Sequence, residues 1–149
     1  LFTRLKFQAA LSLNDFLSDV LADTISYTPQ NHNDATFAPT LKKENGFLNF
    51  KESTFEQIHN QIRALKPWPG TYCYLSNKRL KVFSIKKDLS KLATGVTSIS
   101  GGTLLIGCLD ATIRLETIQL EGKKMCSDFE LLNGLQNSNR EIVINENKQ

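Results

Sequence analysis

Two histidines, three cysteines and one consecutive run, Asn31-His32-Asn33-Asp34, are the residues of this 149-residue chain whose types could do chemistry. The run carries the side chains of an acid–base set. Consecutive residues in a polar stretch cannot converge on one substrate atom, however, and geometry precedes pKa in assigning such roles. It reads as a surface turn. His59 with Cys73 would make a base and a thiol nucleophile only if something lowered the thiol pKa, and no motif around either residue does so. Cys73 reads instead as a buried strand residue. Cys73, Cys108 and Cys126 are odd in number and lack Cys-x-x-Cys spacing, so neither a disulfide framework nor a zinc site is expected, and the setting is a reducing, cytoplasmic one. Gly101-Gly102 lacks the spacing of a phosphate-cradling loop and reads as a hairpin turn. No catalytic residue and no metal ligand emerges.

Cations are the remaining candidates. The net charge is +3, but residues 1–68 are balanced with seven basic against seven acidic side chains, while residues 69–149 hold eleven against eight. Lys78, Arg79, Lys81, Lys86, Lys87 and Lys91 crowd one stretch with Asp88 as the sole acid between them. Gly122-Lys123-Lys124 adds two cations behind a flexible residue. A positive stripe on a small β-domain suits phosphate backbones. A solvated face that discourages edge-to-edge aggregation suits the same residues.

The elements that must carry these residues follow from periodicity. Residues 1–25 read as a helix interrupted between Gln8 and Asn14, with Leu5, Leu13, Phe16, Leu17, Val20 and Leu21 apolar and part of their packing partner missing. Residues 26–50 are polar and turn-rich, with Pro29, Pro39 and Gly46, and read as a connector. Phe55, Ile58, Ile62 and Leu65 recur at helical spacing and predict a helix over 54–65, with Ser53 and Glu56 as a capping box. Pro67-Trp68-Pro69 then halts the helix and forms a structural joint. Trp68 reads first as a packing anchor at the helix-to-sheet seam, and second as a ligand platform. Beyond it, alternation predicts strands near 71–76, 79–86, 103–109 and 111–119, and Ser127 with Glu130 predicts a short capped helix ended by Gly134. Short strands without a long crossover imply a mainly β fold with helices, a small OB-like antiparallel β-barrel.

Composition sets the outer bounds. A hydrophobic content of 40% belongs to a globular domain. No apolar run approaches the ~20 residues of a membrane span, so no membrane partner is expected. The first residue is Leu inside an apolar pattern with no start signal, which reads as the C-terminal part of a longer protein.

Lys42-Lys43-Glu44-Asn45-Gly46-Phe47-Leu48-Asn49-Phe50, the helix ending Arg63-Ala64-Leu65-Lys66-Pro67-Trp68-Pro69, then Arg79-Leu80-Lys81-Val82, then Gly122-Lys123-Lys124 ahead of Ser127-Asp128-Phe129, stand in an order and spacing that resemble the C-terminal region of methionyl-tRNA formyltransferases over about residues 1–138. Two departures from the family pattern are a missing Leu-Gly pair, replaced by Gln8-Ala9, and Phe50 where the family usually has Trp. The resemblance implies three pieces: 1–25, a terminal helix of a Rossmann-type catalytic domain; 26–68, a linker; and 69–149, an OB-like tRNA-binding domain. It implies that the family's catalytic Asn, His and Asp match nothing here, and that formyl-tetrahydrofolate is a substrate of the intact enzyme and is not bound by this part. It further implies that initiator methionyl-tRNA and a missing N-terminal catalytic domain are the partners of a monomer. Under it, Lys42, Lys43, Arg63, Lys66, Lys78, Arg79, Lys81, Lys123 and Lys124 become the candidate phosphate track, with Pro67, Trp68 and Pro69 setting its register. Other formyl-tetrahydrofolate enzymes, acting on small substrates, carry a similar module and remain the alternative.

Overall fold

The computed structural model describes residues 1–135 and 144–145, which divide into two compact units, Leu1–Pro39 and Thr40–Gln149. The first unit contains helix α1 (Phe2–Leu21) and a 3-10 turn at His32–Asp34. The expected interruption in α1 is absent. Neither proline nor glycine falls within the helix, and Gln8-Ala9-Ala10-Leu11 are good helix formers, so nothing breaks the hydrogen-bond ladder there. Leu5, Leu13, Phe16, Leu17, Val20 and Leu21 are all exposed along it.

The second unit is an antiparallel sheet with two helices. Its elements are a 3-10 turn at Lys43–Gly46, α2 (Phe55–Ala64), β1 (Thr71–Leu75), β2 (Lys78–Asp88), β3 (Thr97–Ser100), β4 (Thr103–Gly107), β5 (Thr112–Leu120), β6 (Cys126–Ser127), α3 (Asp128–Gly134) and β7 (Ile144–Asn145). The order across the sheet is β3-β4-β5-β2-β1-β7, with β6 paired to β5, and every named strand pairing is antiparallel. The mainly β fold with helices expected from the sequence is the fold formed. The two long predicted hairpin strands lie where alternation put them. The short β3, β6 and β7 went unpredicted because two to four residues carry too little periodicity to register.

Turn chemistry closes the hairpins. Ser76 and Asn77 both take left-handed backbone angles (φ 47° and 67°), as do Gly101 and Gly102 (φ 57° and 78°), the geometry of tight two-residue connections whose twist matches the strands. Inside, Cys73 and Leu75 of β1, Leu80, Val82 and Ile85 of β2, Leu104 and Ile106 of β4, and Ile113, Leu115, Ile118 and Leu120 of β5 form one core. Helix α2 closes it by inserting Ile58 and Ile62, and α3 by inserting Leu131 and Leu132. Each such side chain contributes roughly 2 kcal/mol of apolar burial. Leu48 and Phe50, from the stretch read as a connector, enter the same core, and the Leu48 amide donates to the Tyr72 carbonyl at 2.8 Å.

The start of α2 corrects the sequence expectation by one residue. Thr54, not Ser53, is the N-cap: its hydroxyl accepts from the Gln57 amide at 3.3 Å while Gln57 Oε1 accepts from the Thr54 amide at 2.8 Å. The reason is tertiary. Asp110 Oδ1, on the turn between β4 and β5, accepts from the Phe55 amide at 2.7 Å, and the Leu109 amide donates to the Ser53 carbonyl at 3.2 Å, so the sheet itself holds the first helical turn. Hydrogen bonding from Phe55 and Cys108, with Lys87 nearby, keeps the Asp110 carboxyl below its ordinary value.

Candidate nucleic-acid interface

Strand alternation sorts the hairpin's side chains into two faces. Cys73 opposes Leu80 on the core side, while Tyr72 opposes Lys81 and Tyr74 opposes Arg79 on the outer side. The same register continues into β5, where Lys81 opposes Gln119 and, past an irregularity between Val82 and Ile85, Lys86 opposes Arg114. Arg79, Lys81, Lys86 and Arg114 therefore share one outer face.

An aromatic layer lies beneath the cations at one end. Phe47 and Tyr74 each pack on Tyr72, with ring centroids 5.8 and 5.7 Å away, and the Arg79 guanidinium carbon sits 3.8 Å from the Tyr72 centroid. Burial pushes the Tyr72 phenol above its ordinary value, with Tyr74 adding to the effect and Arg79 opposing it. The Arg79 backbone is anchored twice by Glu121: the Glu121 amide donates to its carbonyl at 2.9 Å, and its own amide donates to Glu121 Oε2 at 3.3 Å.

Arg114, by contrast, is neutralised. Its Nε and Nη2 donate to Asp128 Oδ2 and Oδ1, both at 2.9 Å, and the Leu104 amide donates to the same carboxylate at 3.1 Å. Burial alone would push the Asp128 carboxyl up, but the hydrogen bonds and charge of Arg114, with the Leu104 and Phe129 amides, bring it below its ordinary value. This pair fastens α3 to β4 and β5 and leaves no free charge for a ligand. Sequence reading missed it, since Asp128 was read only within the Ser127–Glu130 capping box and Arg114 lies in no recognisable motif.

Of the nine cations in the predicted track, register brings Arg79 and Lys81 together on one face. Lys123 and Lys124 are exposed in the turn after β5, tied to that face by Gln119 Nε2, which donates to the Lys123 carbonyl at 2.9 Å. Lys42 and Lys43 open the 3-10 turn that delivers Phe47 onto Tyr72. Lys78 has the opposite parity, facing Leu75 at the hairpin turn. Arg63 lies in the last turn of α2 and Lys66 just beyond it, both exposed and neither on a strand of this face. Lys86, on the shared face, and Tyr74, which supports it with aromatic surface, were not in the predicted set. Parity was the available signal for Tyr74 but not for Lys86, which reaches this face only through the irregularity between Val82 and Ile85.

The joint also needs correction. Lys66-Pro67 and Trp68-Pro69 are both cis, and the Gly70 amide donates to the Leu65 carbonyl at 2.9 Å, closing the helix end. Trp68 is 54% exposed, so it is not the buried seam anchor that its type and position suggested. The seam is held by backbone instead. A Cβ at Gly46 would overlap the Gly70 carbonyl oxygen, which shows how closely the two segments approach.

The other chemically capable residues have ordinary structural surroundings. His32–Asp34 form an exposed turn in which Asn31 Oδ1 accepts from the Asn33 amide and Asn31 Nδ2 donates to Asp34 Oδ2 at 2.8 Å. His59 stacks on Phe55, with Lys87 Nζ 4.9 Å from the Phe55 centroid. Cys73 is fully buried and its thiol is pushed up to about 12, the reverse of an activated nucleophile. Among the described residues no group of three or more His, Cys, Asp or Glu could hold a metal ion, and no helix is long and apolar enough to cross a membrane.

A small antiparallel β-domain with a basic, aromatic-backed sheet face is thus the class of protein defined. The family model for the formyl transferase C-terminal domain matches residues 40–136, and the chain belongs to that family. Curated relatives carry the name methionyl-tRNA formyltransferase: that of Geobacter metallireducens is 30% identical over 135 residues, covering 90% of this chain and 43% of the relative. That of Koribacter versatilis is 35% identical over 123 residues (82% of this chain, 39% of the relative), and that of Bacillus pumilus 33% over 138 residues (90% and 43%). The chain spans about two fifths of the length of these relatives. Among solved structures, a multiply substituted HypX from Aquifex aeolicus superposes with a TM-score of 0.58 at 13% identity, covering 92% of this chain and 25% of HypX. HypX in complex with tetrahydrofolic acid gives 0.54 at 14% identity, covering 81% and 22%; both likenesses establish the fold.

Proposed function

We propose that this chain is the C-terminal part of a methionyl-tRNA formyltransferase, and that it binds and positions initiator methionyl-tRNA while formyl-tetrahydrofolate and the reacting groups are held elsewhere in the intact, cytoplasmic enzyme. In this reading residues 1–25 are the last helix of the catalytic domain, 26–68 the linker and 69–149 an OB-like tRNA-binding domain. The observation that carries it is the shared outer face of Arg79, Lys81 and Lys86, joined by Gln119 to the Lys123-Lys124 corner, in a chain whose named relatives act on methionyl-tRNA. Phosphate contacts of this kind orient a nucleic acid without reading its sequence. Orientation is what a transferase needs from a site remote from its chemistry.

The test is a titration of initiator tRNA across a salt series. Lys123→Ala with Lys124→Ala should weaken binding and reduce the slope of log affinity against log salt by somewhat less than ~1 for each phosphate no longer neutralised. Thermal stability should be unchanged, since both lysines are exposed. Equal slopes and affinities would remove the corner from the binding surface. No binding by either protein would favour the formyl-tetrahydrofolate enzymes that act on small substrates.

A further inference from the structure

We propose that Arg79 is a preoriented clamp for one RNA phosphodiester, set apart from the lysines around it by the Tyr72 ring on which it lies. The inference rests on the tRNA reading and names the residue in that surface that supplies geometry rather than charge alone.

Three observations carry it. First, the guanidinium lies over an aromatic ring: its carbon is 3.8 Å from the Tyr72 centroid, and Tyr72 is itself packed by Phe47 and Tyr74 and almost fully buried. A stacked guanidinium has given up much of the rotamer freedom that a free side chain loses only on binding. Second, one nitrogen of the guanidinium is unsatisfied. Among the described residues its Nε is the one buried side-chain polar atom with no hydrogen-bond partner, and the ion pair formed there is Arg114 with Asp128. Glu121, the carboxylate nearest in register, has an oxygen engaged by the Arg79 backbone amide. A guanidinium partly stripped of water, with no carboxylate paired to its side chain among the described residues, gains more from an arriving anion than a hydrated one does. Third, Lys81 projects from the same face two residues along β2, about 6.6 Å away, a spacing of the order of that between successive phosphates on a strand. A flat fork with a point charge one step away fits a backbone track of phosphodiesters, whereas a small carboxylate substrate would need one partner only.

Arginine and lysine differ in this role, which provides the test. Initiator tRNA is titrated into the wild-type chain, Arg79→Lys and Arg79→Ala over a salt series, with thermal midpoints measured to confirm folding. Arg79→Lys keeps the charge but removes the planar fork, so affinity should fall roughly tenfold, the worth of one charge-assisted bidentate pair, with the salt slope unchanged. Arg79→Ala should lower affinity at least as far and also reduce the slope by about 0.7–0.9. If wild type binds and Arg79→Lys matches it within twofold at every salt concentration, Arg79 acts as diffuse charge and the clamp is overturned while the tRNA reading survives. If wild type itself fails to bind at low salt, both fall together.

Discussion

Removing the Asp128 carboxylate should be among the most damaging single changes available in the sheet domain. The side chain is 0% exposed and holds three groups at once: the Arg114 guanidinium, the Leu104 amide and, locally, the Phe129 amide. Asp128→Ala leaves the Leu104 amide without an acceptor between α3 and β4, a penalty of about 1–3 kcal/mol. It also strands Arg114. Breaking a buried pair costs ~3–5 kcal/mol, but the Arg114 side chain is 34% exposed and can turn to water, so about 3 kcal/mol is expected. With a urea m-value of roughly 1.5 kcal/mol/M, the midpoint should move by about 2 M. Asp128→Asn keeps an acceptor for Leu104 and should lose less, about 2 kcal/mol. The pH dependence supplies a second readout. Because the folded Asp128 carboxyl titrates below its unfolded value, its contribution is present at neutral pH and is lost as pH falls through the folded value, below the usual carboxylate range. Wild type should therefore lose this increment in acid, and Asp128→Asn should lack it. Coincident urea midpoints for wild type and Asp128→Ala at pH 7 would refute the argument that this pair fastens α3.

Trp68→Ala should lower stability by about 1 kcal/mol or less, rather than the ~3 kcal/mol of an emptied aromatic site, because the ring is more than half exposed. As Trp68 is the only tryptophan, its fluorescence reports directly: emission at the wavelength of a hydrated indole is expected, and a strongly blue-shifted maximum would contradict the placement. Thr54→Ala should cost about 1 kcal/mol and Ser53→Ala close to nothing in a denaturant titration, with the reverse order restoring Ser53 as the cap of α2.

What was legible before the structure and what was not divides by distance along the chain. The Ser127–Glu130 box at the start of α3 could be read directly because both partners lie within one helical turn: the Ser127 hydroxyl accepts from the Glu130 amide at 3.2 Å and Glu130 Oε2 accepts from the Ser127 amide at 2.8 Å. The start of α2 could be read only to within one residue, because Ser53-x-x-Glu56 and Thr54-x-x-Gln57 are equivalent patterns. The arbiter, Asp110, lies 55 residues from the amide it caps. Arg114 and Asp128 were invisible for the same reason, each being an ordinary charged residue until the fold closes 14 residues of chain between them. Trp68 failed differently. Its composition-based expectation concerned the side chain, whereas the joint is held by the Gly70 amide and by the close approach of Gly46, neither of which needs the indole.

The cationic surface falls between these cases. That positive charge accumulates after residue 69 is plain from the sequence, but which charges act together is decided by strand parity and by the irregularity between Val82 and Ile85. That irregularity lets Lys86 join Arg79 and Lys81 on the outer side, although strict alternation from Lys81 would have turned Lys86 toward the core. Lys78, one residue from Arg79, takes the other parity. A charge count treats these residues alike, whereas the sheet makes Arg79 a stacked and oriented group, Lys81 and Lys86 its neighbours on one face, and Arg114 a neutralised one. Which cations share this face therefore depends on the register of three strands as much as on the number of cations they carry.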